Sequence, residues 1–269
     1  MANYTTNYNL KKPLGNENYN VEDQNGNMDI IEQNMSEVDS HLAEIPNQTY
    51  ITDKAKQTDV PQQTLANITY YVATTGNDTT GDGTSGLPFK TIQYAIDKLP
   101  QIVNHVVTIN VSAGTYPESL IISGLFGKGD FTISGATSTS TTHNISDMNI
   151  LNCSLKVKII GFNITTTTVH SISITNCINT WIQNMNLISV NTSKNGVSVT
   201  NSFCLLGSNT ISNKSNAIFA NLARVKSGGV DGTNNAIGLM ATNSATIGKG
   251  GPQPSGTTSE VVSFGGVIR

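Results

Sequence analysis

Apolar residues near the start of the chain recur at alternating intervals of three and four positions. The series is Met28, Ile31, Met35, Val38, Leu42 and Ile45. This spacing is the a/d seam of a heptad repeat, and it predicts a helix over 28–45 that Pro46 ends. The seam covers only about two and a half heptads, so two interpretations stay open: an amphipathic helix lying on its own domain, or a parallel coiled coil between chains. Unbranched residues at a, with β-branched residues at d, disfavour a dimer and favour three or four strands.

The pattern downstream of this helix is typical of strands. Residues 46–68 show no hydrophobic period and are predicted to form a linker. Residues 69–269 are predicted to form one β domain, in which apolar and polar residues alternate from about residue 106 onward. The exception is a helix predicted over 90–99, which Pro100 ends. One face of that helix is apolar and consists of Phe89, Ile92, Ala95, Ile96 and Leu99.

Short motifs recur through the strand region. IIGFNIT (159–165), IQNMNLI (182–188) and LLGSNTI (205–211) follow one another at offsets of 23 residues. A second motif consists of an apolar residue, one spacer and an asparagine, and its asparagines are Asn152, Asn176, Asn201, Asn221 and Asn243. A period of about 20–25 residues with strand composition predicts a stacked β-solenoid.

The recurring asparagines are interpreted as structural rather than ligand-binding. Asparagine tolerates the left-handed αL conformation at a bend between strands. Coils of a parallel solenoid stack about 4.8 Å apart, so the side-chain amides of successive coils can hydrogen-bond in a ladder. Residues 106–268 would form roughly seven coils. The helix over 90–99 would then cover the unpaired strand edges of the first coil.

Composition narrows the function. Charged residues make up 12% of the chain and the formal net charge is −3, which gives no footprint for nucleic acid or anionic lipid. No apolar run is long enough to span a membrane, and the N-terminus lacks the apolar region of a signal peptide. The three cysteines form no CxxC motif and are predicted to be reduced, buried thiols. No cofactor is expected.

Two segments resemble proteins of bacteriophage tails. The sequence YYVATTGNDTTGDGTSGLPFKTIQYAIDKL, followed by VTINVSAGTYPESLIISG, resembles the start of pectin-lyase-like right-handed parallel β-helices, which occur in many tailspikes and tail fibres. The stretch NYTTNYNLKKPLGNENYNVEDQNGNMDIIEQNM is similar to the attachment end of tail fibres of phages from Gram-positive hosts and of phage-tail-like bacteriocins. The resemblance covers most of residues 1–135. It implies a homotrimer in a virion or tail-like particle, made in the bacterial cytoplasm and docked to the tail baseplate through residues 1–27.

The superfamily also contains lyases and hydrolases that degrade polysaccharides, and glycoside hydrolysis usually needs two neighbouring carboxylates. The chain has no Asp or Glu between Met148 and Val230, and the only carboxylates after Phe131 are those of Asp147, Asp231 and Glu260. We therefore expect a non-enzymatic fibre or spike that attaches to host cell-surface polysaccharide. The alternative is a polysaccharide-degrading tailspike whose site forms between subunits.

Few side chains stand out as ligand contacts. Trp181 and Tyr116 are candidate platforms on which sugar rings could stack, although Trp181 could equally lie in the core. Asp78 and Asp82, in the loop GNDTTGDGTS, could hold a calcium ion. The loop lacks the spacing of an EF-hand and its closing glutamate, so a solvated turn is the favoured interpretation.

Overall fold

The computed structural model of the chain describes residues 3–4, 11–12, 21–44, 62–139, 141–190 and 192–269. They belong to two compact units, Met1–Val60 and Pro61–Arg269. The helices are α1 (Val21–Glu44) and α2 (Ile92–Asp97). The strands are β1 (Asn3–Tyr4), β2 (Lys11–Lys12), β3 (Ile68–Val72), β4 (Val107–Val111), β5 (Gly114–Ser123), β6 (Asp130–Ser134), β7 (His143–Leu151), β8 (Lys156–Ile160), β9 (Asn163–Ile164), β10 (Ile172–Thr175), β11 (Asn179–Gln183), β12 (Asn186–Leu187), β13 (Val197–Thr200), β14 (Phe203–Ile211), β15 (Asn216–Asn221), β16 (Arg224–Asp231), β17 (Asn235–Thr242), β18 (Thr246–Gly250), β19 (Gly256–Val262) and β20 (Val267–Ile268).

The first unit contains one long helix. Helix α1 contains the predicted seam from Met28 to Leu42 and begins earlier, at Val21. The seam side chains that the structure describes are exposed in the single chain, with exposed fractions of 55% at Met28, 38% at Ile31, 62% at Met35 and 57% at Val38. The Leu42 side chain and all of Ile45 lie outside the described residues. Pairing of this helix with other copies stays a prediction.

The second unit is a parallel β-solenoid of about seven turns, which confirms the mainly β, solenoidal fold. Its strands stack into two long sheets and one short ladder. The first sheet has the order β3–β4–β6–β8–β11–β14–β16–β18–β20, and the second has the order β5–β7–β10–β13–β15–β17–β19. The short ladder passes through β7, β9, β12 and the end of β14. All pairings within these described strands are parallel.

Several strands of the solenoid alternate strictly between buried and outward-facing residues. In β4, for example, Val107, Ile109 and Val111 are buried, whereas Thr108 and Asn110 face outward. Each buried aliphatic side chain contributes roughly 1.5–3 kcal/mol relative to an exposed one. Cys153, Cys177 and Cys204 are unpaired thiols in this core, where each serves as a small apolar residue.

The register of the coils differs from the motif spacing at one point. Ile182 pairs with Ile159, as the motifs predict, but on its other side it pairs with Leu206 and not with Leu205. Successive side chains of a strand point to opposite faces, so a shift of one residue turns Leu205 outward. Leu205 therefore lies beside Trp181 on the outer surface of the first sheet.

Helix α2 is shorter than the predicted 90–99 but lies within it. Its buried side chains are Ile92, Ala95 and Ile96, and it packs against β3, β4 and β5 at the start of the solenoid. Thr91 is the N-cap, and its hydroxyl accepts a hydrogen bond from the Tyr94 N–H at 3.3 Å. A role in covering the solenoid end is an expectation that these contacts do not test.

The loop before α2 uses its carboxylates for its own backbone. Asp78 accepts hydrogen bonds from the N–H groups of Lys90 (2.7 Å) and Thr91 (3.1 Å) and from the Thr91 hydroxyl. Asp82 accepts a hydrogen bond from the Thr84 N–H at 2.9 Å, and this bond lowers the pKa of the Asp82 carboxyl. The solenoid also begins before the predicted end of the linker, because the Thr64 N–H donates to the Ile102 carbonyl.

Candidate functional site

A column of αL residues turns the chain from the second sheet to the first sheet. Strands β10, β13, β15 and β17 end at the paired residues Thr175, Thr200, Asn221 and Thr242. The residue that follows each of these four has a positive φ. The full column, with φ values between 47° and 69°, is Gly124, Asn152, Asn176, Asn201, Leu222, Asn243 and Phe264.

The asparagines of this column hydrogen-bond along the solenoid axis. Asn176 Nδ2 donates to Asn152 Oδ1 at 2.9 Å, and Asn201 Nδ2 donates to Asn176 Oδ1 at 3.0 Å. These side chains are exposed, so the ladder runs along the outer surface of the corner. The ladder pairs the side-chain amides of neighbouring coils with one another, so its role is structural.

Asn221 is displaced by one residue from this column. It pairs with Thr200 and Thr242 as the last residue of β15, and Leu222 takes the αL position with a φ of 50°. Asn221 still joins the ladder from its shifted place, because Asn243 Nδ2 donates to Asn221 Oδ1 at 2.8 Å. The sequence motif FANLAR therefore places its asparagine one residue too early.

The structure contains a second asparagine ladder that was not predicted from the sequence. Asn163 Nδ2 donates to Asn144 Oδ1, and Asn186 Nδ2 donates to Asn163 Oδ1, both at 2.6 Å. The spacings between these residues are 19 and 23 positions, so no single period joins them. The only sequence signal was the Asn in the GFN and NMN portions of the first motif set.

Tyr116 is not a surface platform, and its assignment as a glycan contact is wrong. Its side chain is 2% exposed, and its hydroxyl donates to the Ser112 carbonyl at 2.9 Å. Burial raises the pKa of the Tyr116 hydroxyl. The residue sits at an inward position of β5, where alternation places it in the core.

Trp181 lies on the outer surface of the first sheet and is partly exposed. Its indole Nε1 donates to Asn179 Oδ1 at 2.8 Å, and Lys156 Nζ lies 5.0 Å from the ring centroid in a cation–π contact. The tryptophan is therefore held in one orientation, with part of its ring available to solvent.

Strand register gathers cations and rings around Trp181. One outward row runs through Lys158, Trp181, Leu205 and Lys226, and the neighbouring row runs through Lys156, Asn179, Phe203 and Arg224. We call these eight residues the basic face. Three surface depressions with volumes of about 350, 320 and 160 Å³ lie along it. The first shares Phe203 and Arg224 with the second, and Lys226 with the third.

Three cations of the basic face have no ionic partner among the residues that the structure describes. Lys156 pairs with Asp130 at 3.0 Å, and Lys249 beyond the face pairs with Glu260 at 2.7 Å. Within the described residues, no carboxylate lies at ion-pair distance from Lys158, Arg224 or Lys226. The face is therefore locally positive, although the chain as a whole carries a formal charge of −3.

A strip of glycines borders the basic face. Gly207, Gly228 and Gly250 are aligned in β14, β16 and β18, and none of them has a positive φ. A Cβ added at these positions would meet no atom closer than 3.6, 3.5 and 3.8 Å respectively. Neither backbone conformation nor crowding requires glycine here, so the absent side chains leave an open channel beside the rings.

Asp147 and Asp231 lie outside the two rows of the basic face. Asp147 is 6% exposed and accepts hydrogen bonds from Ser119 Oγ at 2.6 Å and from Asn149 Nδ2. Asp231 is exposed at the end of β16, opposite Thr210. The basic face itself holds no acid–base pair, and its chemistry is that of binding through rings, amides and positive charge.

Two buried polar features lie elsewhere. Cys153 and Cys177 stack in neighbouring coils, and each Sγ donates to backbone carbonyl groups. Lys214 is fully buried, its Nζ bonds to the Ser189 carbonyl and hydroxyl, and burial lowers its pKa to about 8. Lys214 also borders a separate depression of about 460 Å³.

The described residues contain no group of three His, Cys, Asp or Glu side chains arranged to hold a metal ion. None of the helices in the described ranges combines the length and the apolar character that a membrane crossing needs. Comparison with family models, with curated proteins and with solved structures finds no match for this chain.

Proposed function

We propose that this chain is a host-attachment protein of a phage tail or tail-like particle, a fibre or spike that binds cell-surface polysaccharide without cleaving it. The observation that carries the proposal is the basic face. It presents the rings of Trp181 and Phe203 on a rigid sheet and holds no pair of carboxylates. Aromatic rings with nearby amide donors are a means of holding sugar rings, whereas glycoside cleavage requires positioned acid and base groups.

The proposal includes the assembly. Three copies join through the seam of α1, residues 1–27 dock to the tail baseplate, and the solenoid is right-handed with α2 covering its first coil. The exposed seam side chains Met28, Ile31, Met35 and Val38 support this arrangement, because exposed apolar rows favour association. Three solenoids per assembly multiply weak glycan contacts into firm attachment.

An enzymatic tailspike with a site between subunits is the competing function. Asp231 is exposed and could contribute to such a site, but Asp147 is buried and already hydrogen-bonded. The described residues after Phe131 supply only one further carboxylate, Glu260, which pairs with Lys249. The attachment function therefore fits these groups better.

Sedimentation with whole bacteria tests the proposal. The full chain is mixed with cells from a panel of Gram-positive species, and the bound fraction is measured for the wild type, for Trp181→Ala and for Phe264→Ala. Phe264 is the control because it is an exposed ring, 81% accessible, on the corner rather than on the basic face. We expect retention on at least one species, lost in Trp181→Ala and kept in Phe264→Ala. Equal retention of all three proteins would contradict the assignment of the face, and no retention on any species would contradict attachment.

A further inference from the structure

We propose that the basic face binds a linear anionic glycan, a polysaccharide with phosphodiester or carboxylate groups separated by uncharged sugar rings. This inference rests on the proposed attachment function and adds the charge of the ligand. It follows from the arrangement of three cations, unpaired among the described residues, around two rings on one sheet.

The cations lie at both ends of an apolar centre. Along one row, Lys158 and Lys226 are separated by Trp181 and Leu205, that is, by three strand steps or about 14 Å. In the neighbouring row, Phe203 lies next to Arg224. A bound chain that follows the rows places uncharged rings over Trp181 and Phe203 and its anionic groups at Lys158 and at the Arg224–Lys226 pair.

The basic face differs from a surface covered by salt bridges, because three of its cations have no ionic partner among the described residues. Lys156 and Lys249 have carboxylate partners, whereas Lys158, Arg224 and Lys226 have none among the described residues. Arg224 and Lys226 are exposed and Lys158 is partly exposed. With no fixed carboxylate of the described residues in competition, these cations retain their attraction for a mobile anion. Arginine adds a planar fork that can grip a phosphate or carboxylate with two parallel hydrogen bonds.

The glycine strip adds room for the ligand. Gly207, Gly228 and Gly250 weaken their strands, and glycine within a strand often marks a place where a ligand approaches the backbone closely. A Cβ at each of these positions would make only ordinary van der Waals contacts, so a side chain placed there would narrow the channel. The strip alone identifies no ligand, but it lies directly beside the cations and rings.

Nucleic acid fits the face less well. A nucleic acid strand carries one phosphate per nucleotide, about 3.4 Å apart along a duplex axis. The basic face offers cations only at its two ends, and the chain as a whole is negative. A glycan with widely separated charges matches this pattern better, and single-stranded DNA serves as the competing ligand in the test.

Titration of the full chain with four defined polymers tests the inference. The polymers are polygalacturonate for carboxylate, a phosphomannan for phosphodiester, dextran as a neutral glycan, and single-stranded poly(dT). We expect at least one of the two anionic glycans to bind more tightly than both dextran and poly(dT). Arg224→Gln/Lys226→Gln should weaken that binding by about tenfold or more, because two charge-assisted hydrogen bonds are lost.

Two matched proteins keep this test specific. Lys90→Gln/Lys194→Gln removes the same charge away from the face and should leave affinity unchanged. Gly228→Val keeps the charge, fills the strip and should bind less tightly while unfolding at the same or higher denaturant concentration. Binding that is equally strong for dextran or poly(dT), equal loss in the two double variants, or no binding to any polymer would overturn the inference.

The retention of the same proteins on bacterial cells separates this inference from the proposed function. Wild-type retention on cells, together with no preference for anionic glycans, rejects the anionic ligand and leaves attachment standing. Preference for an anionic glycan, together with no retention on any cells, rejects attachment and leaves the chemistry of the face standing.

Discussion

Residues in the αL conformation define the corner between the two long sheets. Asparagine fills four of the seven positions in that column. It adopts the αL conformation at low cost because its short polar side chain can hydrogen-bond locally. Leu222 and Phe264 fill two others, although a bulky side chain at positive φ is strained and each is largely exposed, at 60% and 81%. The corner therefore contains both well-adapted and poorly adapted positions.

Substitutions at this corner should change stability in opposite directions. Asn176→Ala loses the αL preference and two ladder bonds, and we expect a loss of about 2 kcal/mol in the free energy of unfolding. Asn176→Gly keeps the conformation and should cost about half as much. Leu222→Asn should gain about 1 kcal/mol, because strain is relieved and little apolar burial is lost. Urea unfolding measures all three, and a destabilised Leu222→Asn would contradict the corner assignment.

Buried Lys214 should make stability depend on alkaline pH. Burial lowers its pKa from 10.5 to about 8, so between these values the unfolded chain binds more protons than the folded chain. Stability contributed by this residue is therefore lowest below pH 8 and rises as the pH increases towards 10.5. We expect Lys214→Met to remove that rise and to be more stable than the wild type at pH 7.

The comparison is made by urea unfolding of both proteins at pH 7 and pH 10. The difference in unfolding free energy between Lys214→Met and the wild type should shrink at the higher pH. Lys194→Met, at a residue that is not fully buried, is the control and should show no such trend. A constant difference between Lys214→Met and the wild type across this range would mean that Lys214 keeps its ordinary pKa in the folded chain.

The conformation of a single residue can be predicted from the sequence only where its residue type favours that conformation. Asn152, Asn176 and Asn201 could be predicted as a column because asparagine is both periodic and suited to αL. Leu222 could not, because nothing in its side chain indicates a positive φ. Tyr116 was misassigned because an aromatic ring in a strand looks the same in sequence whether it points inward or outward.

For the strands, the lengths of the turns limit how well the register can be predicted from the sequence. The fold class follows from period and composition, but the exact register depends on how many residues each turn uses. The one-residue shift that aligns Leu206 with Ile182 also places Leu205 beside Trp181. The basic face depends on such alignments, so its rows could not be predicted although Trp181, Arg224 and Lys226 were each visible in the sequence.

Helix α2 depends on a carboxylate from another element. Glu118 of β5 accepts hydrogen bonds from the N–H groups of Ile92 (3.1 Å) and Gln93 (2.8 Å). These groups have no partner inside a helix, so we expect Glu118→Ala to cost about 1–2 kcal/mol in unfolding free energy. Asp231→Ala, which removes an exposed carboxylate from a distant strand, is the control for urea unfolding. Equal stability of the two variants would show that α2 does not need this support.

Helix α1 should determine the oligomeric state. Ile31→Asp/Val38→Asp places charges in the seam, where burial against another helix is costly, and we expect the trimer to dissociate. Gln33→Asp/Ser36→Asp adds the same charge to exposed positions off the seam and should leave the trimer intact. Light scattering at micromolar concentration gives the mass of each protein. A wild type that is already monomeric would contradict the seam, as would dissociation of both variants.

For the whole molecule, net charge is a poor guide to the surface. The formal charge of −3 gives no footprint for nucleic acid or anionic lipid, yet stacking collects Lys158, Arg224 and Lys226 on one side of one sheet. A solenoid repeats each strand position once per coil, so a few suitable residues become a continuous surface without altering the overall composition. Joining three such surfaces in one fibre would raise avidity without any new contact.

Incubation of the purified, assembled protein with isolated host cell-wall polysaccharide tests attachment without cleavage most directly. Two quantities are measured on the same sample: the fraction of protein retained by the polysaccharide, and the number of new reducing or unsaturated sugar ends. The account predicts retention that Trp181→Ala abolishes, with no increase in ends over buffer alone during prolonged incubation. New ends that accumulate in proportion to time and protein concentration, and that disappear in Asp231→Ala, would contradict it and identify an enzyme with a site between subunits.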